Sequence, residues 1–326
     1  MNALKEMLKK REATLILLIV VLAVAVSTRA PGFLKGDNIS RIVNDTSILI
    51  MVGIGQFFVI LTGGIDLSVG SVIAFSGMAA AMMNQSSPGT PVILILLAGM
   101  AIGLLLGLFN GVIVAYGKVP PIIATLGTMS IFRGFTFVLS KGQWVTAHEM
   151  SESYMSIPHG HFLGLSNLIW SAVLVSVLLF FFSRYTRSGR EIYAIGGNKT
   201  AAKFVGVSEK KVNLIIFSMS GLLSGLAGVM WTARYAAAVN ETATGFELMT
   251  VAACVLGGVN IAGGAGAVPG VILGALFLGI INNALPVVNF SPFYQMFIQG
   301  FIVLAAMFIN TIMDKRSEKK MLKRRA

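Results

Sequence analysis

The chain has 326 residues, 56 % of them hydrophobic and only 12 % charged, about half the charge that typically covers a soluble protein. That excludes a soluble enzyme and a disordered chain and points to a polytopic membrane protein. The net charge of +12 would suit nucleic-acid binding if it were spread over a folded surface, but its placement argues otherwise.

Four basic residues (Lys5, Lys9, Lys10 and Arg11) precede the first apolar run, seven lie between Arg184 and Lys211, and seven between Lys315 and Arg325. Basic segments separated by apolar runs follow the positive-inside rule for cytoplasmic loops, so no nucleic-acid partner is expected. A spanning helix needs about 20 mostly apolar residues. In chain order the candidates are 13–28, 42–62, 67–83, 91–116, 121–139, 165–183, 212–233, 247–262, 267–285 and 293–313. The sequence therefore predicts an all-α polytopic membrane protein, one permease-like domain over 1–326, with about ten transmembrane helices. An even count puts both termini, the 184–211 loop and the basic 314–326 tail in the cytoplasm, and 84–90, 140–164 and 235–246 outside. Arg29, Lys35 and Arg41 disagree with this topology, falling on the outer side. The first apolar run continues past Ala23-Val24-Ala25 and meets Arg29, which argues against a cleaved signal.

Two glycine-rich breaks resemble each other. The ten residues from Thr62 to Ser71 align with those from Leu256 to Ala265, seven of ten positions being identical or similar. Each follows an apolar run and precedes another, as expected of an internal repeat with broken helices. Charged residues within or beside spans are Asp45, Asp66, Arg133, Arg234 and Glu247. Each costs about 2.5–3.5 kcal/mol at a helix centre, so each should face protein or a water-filled path. Asp66 follows the Gly63-Gly64 break, where it either caps the next helix or belongs to a transport path; Glu247 sits similarly at the start of 247–262.

Nucleotide-binding and catalytic motifs are missing. The Gly117-Lys118 pair runs into Val119-Pro120 rather than Ser or Thr, so there is no phosphate-binding loop. His148, His159 and His161 share one expected outer loop without carboxylate or thiol partners at ligand spacing, and the lone Cys254 lies in an apolar run. No catalytic residue, metal site or cofactor bound by this chain is expected.

The sharpest local signal lies in the 184–211 loop. Asn198 suits a helix N-cap, Lys199 to Val205 is helix-compatible, and Gly206 suits the C′ position. Adjacent Ala201 and Ala202 allow another protein's groove to approach, and Phe204 offers a side chain to fill a pocket. On this reading Ala202→Trp leaves folding and insertion intact but disrupts docking.

These residues carry a resemblance. Thr200-Ala201-Ala202-xxx-Gly206 resembles the EAA-xxx-G coupling loop of ABC importer permeases, with Thr200 where the fuller motif has Glu. Gly189-Arg190, the stretch Tyr193 to Asn198, the stretch Ile60 to Ser71, and Gly245-Phe246-Glu247-Leu248 running into Val255 to Gly258 and Gly263 to Gly266 resemble the ribose-type sugar permease family. The resemblance runs from about 30 to 312. Val251 to Cys254, Asn282 to Pro286 and Ser291-Pro292-Phe293 look closer to its rhamnose and autoinducer-2 branch, and Asn260 stands where many relatives have Ser.

The resemblance implies a permease subunit in a bacterial inner membrane, paired with a second copy or a paralogue. ATP and magnesium would reside on a separate cytoplasmic ATPase, and an extracytoplasmic binding protein would deliver a small sugar. Asn198, Thr200, Ala201, Ala202, Phe204 and Gly206 would couple to the ATPase. Gly63, Gly64, Asp66, Ser68, Phe246, Glu247, Asn260 and Asn283 would belong to the translocation path.

Overall fold

A computed structural model describes residues 11–288 and scattered positions from 291 to 308. The expected span 293–313 falls mostly, and the 314–326 tail wholly, outside the described residues. The helices are α1 (Arg11–Arg29), α2 (Gly36–Leu61), α3 (Val69–Ser86), α4 (Val92–Gly117), α5 (Pro121–Ser140), the short α6 (Glu152–Met155), α7 (Asn167–Tyr185), α8 (Arg187–Gly197), α9 (Lys199–Phe204), α10 (Glu209–Tyr235), α11 (Phe246–Leu256) and α12 (Val268–Val287). Four two-residue strands join them: β1 (Val145–Thr146), β2 (His161–Phe162), β3 (Leu165–Ser166) and β4 (Ala237–Ala238).

Among the described residues seven helices, α1, α2, α4, α5, α7, α10 and α12, are long and apolar enough to cross a membrane, where ten spans were expected. Two of the shortfalls have physical causes. α3 has 18 residues, but its end, Asn84-Gln85-Ser86, is polar. The expected span 247–262 is only the 11-residue α11, about 16 Å at ~1.5 Å per residue, roughly half of a hydrocarbon core. It stops at Gly257-Gly258 because Gly258 takes φ +83°. There the N–H of Gly258 reaches the carbonyl of Val255, and that of Val259 reaches Cys254, a Schellman cap.

The two resembling breaks share devices rather than a whole plan. α2 ends in the same cap, with Gly63 N–H to Ile60 and Gly64 N–H to Val59. The left-handed residue is Gly63 in one copy and Gly258 in the other, one position off the sequence alignment. The turns that follow are in register: the Asp66 side chain accepts from the Ser68 N–H, and that of Asn260 from the Ala262 N–H. Shared caps and turns fall short of the expected internal repeat.

α10 is the axis. Gly99, Gly103, Gly107 and Gly111 recur every fourth residue along α4 and face antiparallel α10, the first three meeting Gly221 and Gly225 and Gly111 meeting Asn213 and Leu214. A Cβ on Gly103 would fall inside contact distance of the Gly221 carbonyl and the Gly225 backbone. Around the same helix, Gly228 packs against the α3 backbone at Ile73 and Gly77. Small residues of this spacing let helix backbones touch, which is how helices gain dispersion energy where lipid offers no hydrophobic drive. α2 packs on α10, α11, α12 and α7 as the most buried of the seven apolar helices, and α1 rests on α12.

One end of this bundle carries a folded lid. β1 pairs antiparallel with β4, and β2 with β3. The fully buried Tyr154 bonds its hydroxyl to Thr232 at 2.6 Å, and Asn84 exchanges hydrogen bonds with Ser151. Glu149 closes a capping box with Thr146 and accepts from Gln85 Nε2, tying the lid to α3. The three histidines lie exposed on this lid, and among the described residues no group of three potential ligands forms a metal site.

Gly103→Ala should lower stability by about 1–3 kcal/mol through overpacking, whereas Gly134→Ala, with open space around its Cβ, should stay within about 0.5 kcal/mol. Thermal unfolding in detergent measures both. The Thr146 N–H and hydroxyl hold the Glu149 carboxyl below its ordinary range. Its contribution is therefore present at neutral pH and lost as pH falls through that lowered value. Protection of the lid amides, relative to their intrinsic exchange at each pH, should fall on acidification in the native chain, and be lowered already at pH 7 in Glu149→Gln.

Candidate functional site

Between the α2 cap and α3 the chain runs non-helically for seven residues, from Thr62 to Ser68. In a membrane such backbone is tolerated only when protein groups satisfy it. Two helices, α2 and α5, supply partners to its backbone here, and α4 and α10 bond its side chains. The Gln56 amide of α2, in the orientation that satisfies both groups, brackets the peptide of Asp66. Thr125 of α5 accepts from the Leu67 N–H and donates toward the Ile65 carbonyl. Asn110 of α4 donates to Ser68 Oγ at 2.8 Å. Ser220 of α10 donates to the second carboxyl oxygen of Asp66 at 2.8 Å, while the first accepts from both the N–H and the hydroxyl of Ser68. Asp66 is 2 % exposed: it clasps four helices around the start of α3.

A further non-helical stretch, 239–245, is held in a similar way at the lid end. After β4 the chain reaches α11 without a helix, and Arg133 of α5 donates to the carbonyls of Asn240 and Thr242 at 2.7 and 2.8 Å. Ser140 donates to the Asn240 side chain. Glu247 occupies the first turn of α11, where an acid suits the helix dipole, and its carboxyl lies against Gly70 of α3. The starts of α3 and α11 therefore adjoin.

The expected path residues thus separate into three places. Gly63, Gly64 and Asn260 gather at the end of the bundle away from the lid, where the Gly264 N–H donates to the Leu61 carbonyl and Gly196 packs against both residues. Asp66 and Ser68 are in the buried clasp. Phe246 and Asn283 line a cavity of about 420 Å³ near the lid, formed by α2, α10, α11 and α12. Asp45 and Arg41 also line it, and Arg41, out of place in the topology count, is exposed. Asp45 pairs with Arg234 of α10, the side chains being 40 % and 13 % exposed. The cations and acids singled out in the apolar runs are therefore each turned onto protein. Gln56, Asn110, Thr125 and Ser220 went unread, although a polar residue inside an apolar run is itself a signal.

The 184–211 segment forms two helices. Thr186 caps α8 by accepting from the Gly189 N–H, and Asn198 caps α9 by accepting from the Ala201 N–H at 2.9 Å. α9 ends in a Schellman cap, Gly206 N–H to Lys203 and Val207 N–H to Ala202, with Gly206 at φ +82°. Asn198 and Gly206 thus do as caps what their positions suggest. Ala202 differs from expectation: it is 3 % exposed and packs within the chain's own core, so a tryptophan there would disturb the fold. Thr200 and Ala201 stay exposed, and Phe204 is 86 % exposed. Tyr193 of α8 donates to the Gly266 carbonyl at 2.9 Å, linking this pair of helices to the break between α11 and α12.

Asp66→Ala leaves buried donors of Ser68 and Ser220 without an acceptor, and should cost about 1–3 kcal/mol per orphaned group. Ser220→Ala should cost about 1 kcal/mol and add almost nothing to Asp66→Ala. A double-mutant cycle on detergent unfolding reads this coupling.

Residues 38–307 match the family described as "Branched-chain amino acid transport system / permease component". The chain is 39 % identical to the ribose import permease protein of Haemophilus influenzae, over 90 % of this chain and 91 % of that one. It is 38 % identical to the ribose import permease protein of Escherichia coli, over 92 % and 93 %. The autoinducer 2 import system permease protein of Salmonella choleraesuis is 34 % identical, over 93 % of this chain and 86 % of the relative. No solved structure matches the chain. With its apolar helices, its two broken spans and these relatives, the chain is a multi-pass membrane protein and belongs to this family of transport-system permease components.

Proposed function

We propose that the chain is the membrane subunit of an ATP-driven importer for a small sugar or sugar-like molecule. The observation that carries the mechanism is the exposed Phe204 on α9, a helix fixed by caps at both ends beside exposed Thr200 and Ala201. Such a rigid apolar knob fits a groove on a separate cytoplasmic ATPase, which holds ATP and magnesium. The names of relatives that import ribose and autoinducer 2 support the sugar class. An extracytoplasmic binding protein delivers the substrate, and a second permease, the same chain or a paralogue, completes the path. The basic 184–211 segment and tail support a bacterial inner-membrane orientation with both termini cytoplasmic.

Coupling follows from contacts of α8 and α9. When the ATPase pair closes and pulls α9, α8 moves with it. Gly196 then presses on the Leu61 carbonyl and on Gly264, while the Tyr193 hydroxyl pulls on Gly266. Those contacts act on the end of α2 and on the segment leading into α12, two helices that border the cavity at the far end. A movement at the ATPase thereby changes which side the path opens to.

The family's description favours a second reading, import of a branched-chain amino acid. Competition of labelled-sugar uptake by leucine separates the two.

A gentle-detergent pull-down of the tagged chain, with co-purifying proteins identified by mass spectrometry, should recover an ATPase in equal amount. Phe204→Ala should reduce that recovery at least tenfold with insertion intact. Gly196→Ala should retain the ATPase and lose uptake. Recovery of the chain alone after cross-linking, or wild-type ATPase recovery by Phe204→Ala, would overturn the coupling.

A further inference from the structure

The cavity near the lid has a chemistry of its own. It holds about 420 Å³, within the roughly 300–1,000 Å³ range of small-molecule pockets. Trp231 and Phe246 stand edge to face, with ring centroids 5.2 Å apart and planes at 86°, both on the cavity wall. Aromatic rings on a cavity wall offer apolar surface to the C–H groups of a saturated ring. Opposite them, α2 and α12 bring carboxamides together: Asn38 donates to the Asn283 side-chain oxygen at 3.2 Å and to the Phe33 carbonyl at 2.8 Å. A carboxamide both donates and accepts, the pairing that vicinal hydroxyls require. The charged residues of the wall are Arg41 and Asp45, one of each sign, and Asp45 already faces Arg234. The lining side chains themselves therefore sum to zero charge, with the Arg234 cation beside Asp45.

We infer that this cavity is a binding site for one neutral, monosaccharide-sized polyol, with Trp231 and Phe246 as its apolar platform and Asn38 and Asn283 as hydroxyl partners. The proposal rests on the sugar-importer reading and adds to it a site at the lid end. The Asp45–Arg234 pair joins α2 to α10 beside it.

The chain's own thiol makes the test direct. Cys254 is fully buried, so a cysteine introduced into the partly exposed Asn283 position is labelled against a low background. Asn283→Cys is expressed in the full transport complex in membrane vesicles and reacted with a maleimide. D-Ribose, D-allose, L-arabinose and L-leucine are added in turn, and uptake of each is measured in parallel with the native complex. At least one of the sugars should slow labelling fivefold or more, and leucine should not; Gly134→Cys, on the remote α5, should be unaffected by any of them. Trp231→Ala should abolish the protection, and Trp231→Phe should restore part of it. If one of the sugars is imported through the Asn283→Cys complex itself while its labelling is unchanged, the site is overturned and the importer reading stands. If leucine is imported and none of the sugars is, both fall. Equal protection by leucine and the sugars would also overturn the polyol assignment.

Discussion

The close approach of α10 to α4 and α3 is the constraint on which the remaining structure depends. Lipid chains are as apolar as leucine, so helices in a bilayer gain little by hiding apolar surface from it. Backbone contact across the Gly99–Gly111 ladder and Gly221, Gly225 and Gly228 supplies the association that hydrophobicity does not. With α10 so fixed, three of its side chains reach defined partners at three depths: Ser220 the clasp at Asp66, Thr232 the lid through Tyr154, and Arg234 the cavity through Asp45. One seam thus sets the position of every functional region.

The two interrupted spans follow a common logic from opposite ends. At each, the chain gives up helical hydrogen bonds and a neighbouring helix supplies replacements, through Gln56, Asn110, Thr125 and Ser220 at one and through Arg133 and Ser140 at the other. The replacement groups come from other helices, so neither break can form before its neighbours are in place. The α8–α9 unit touches the second end of both interrupted regions, at Leu61 and at Gly264–Gly266. That gives a short two-helix element purchase at once on the end of α2 and on the segment that leads into α12.

Much of this was legible in the sequence. Runs of apolar residues give nine of the ten expected spans a helix, and Asn198 and Gly206 mark the limits of α9 because capping is local chemistry. Membership of the permease family was legible from ordered motifs. The 247–262 run was misread as a full span because its composition is apolar throughout, while the stop at Gly258 depends on a single left-handed residue. Ala202 was misread because burial of a small side chain depends on what packs over it, and the neighbours of α9 come from distant parts of the chain. The Asp45–Arg234 pair was equally hidden: both residues stood out as charges in apolar surroundings, but nothing local says they meet. The fourfold glycine spacing of α4 was a readable signal for close packing, and its partner on α10 could be found only in three dimensions.

The sequence distance between the two sides of that glycine seam has a consequence for how the protein is made. α4 leaves the ribosome long before α10, so its glycine face waits in the bilayer without its mate while α5, α7 and the lid segment are synthesised. During that interval the lid strand β1 has no β4 to pair with, the Asp66 clasp lacks Ser220, and Asp45 lacks Arg234. The arrival of α10 completes all of these together. Biogenesis of this protein therefore has one late commitment step, and a nascent chain stopped short of it is the form that membrane quality control would meet.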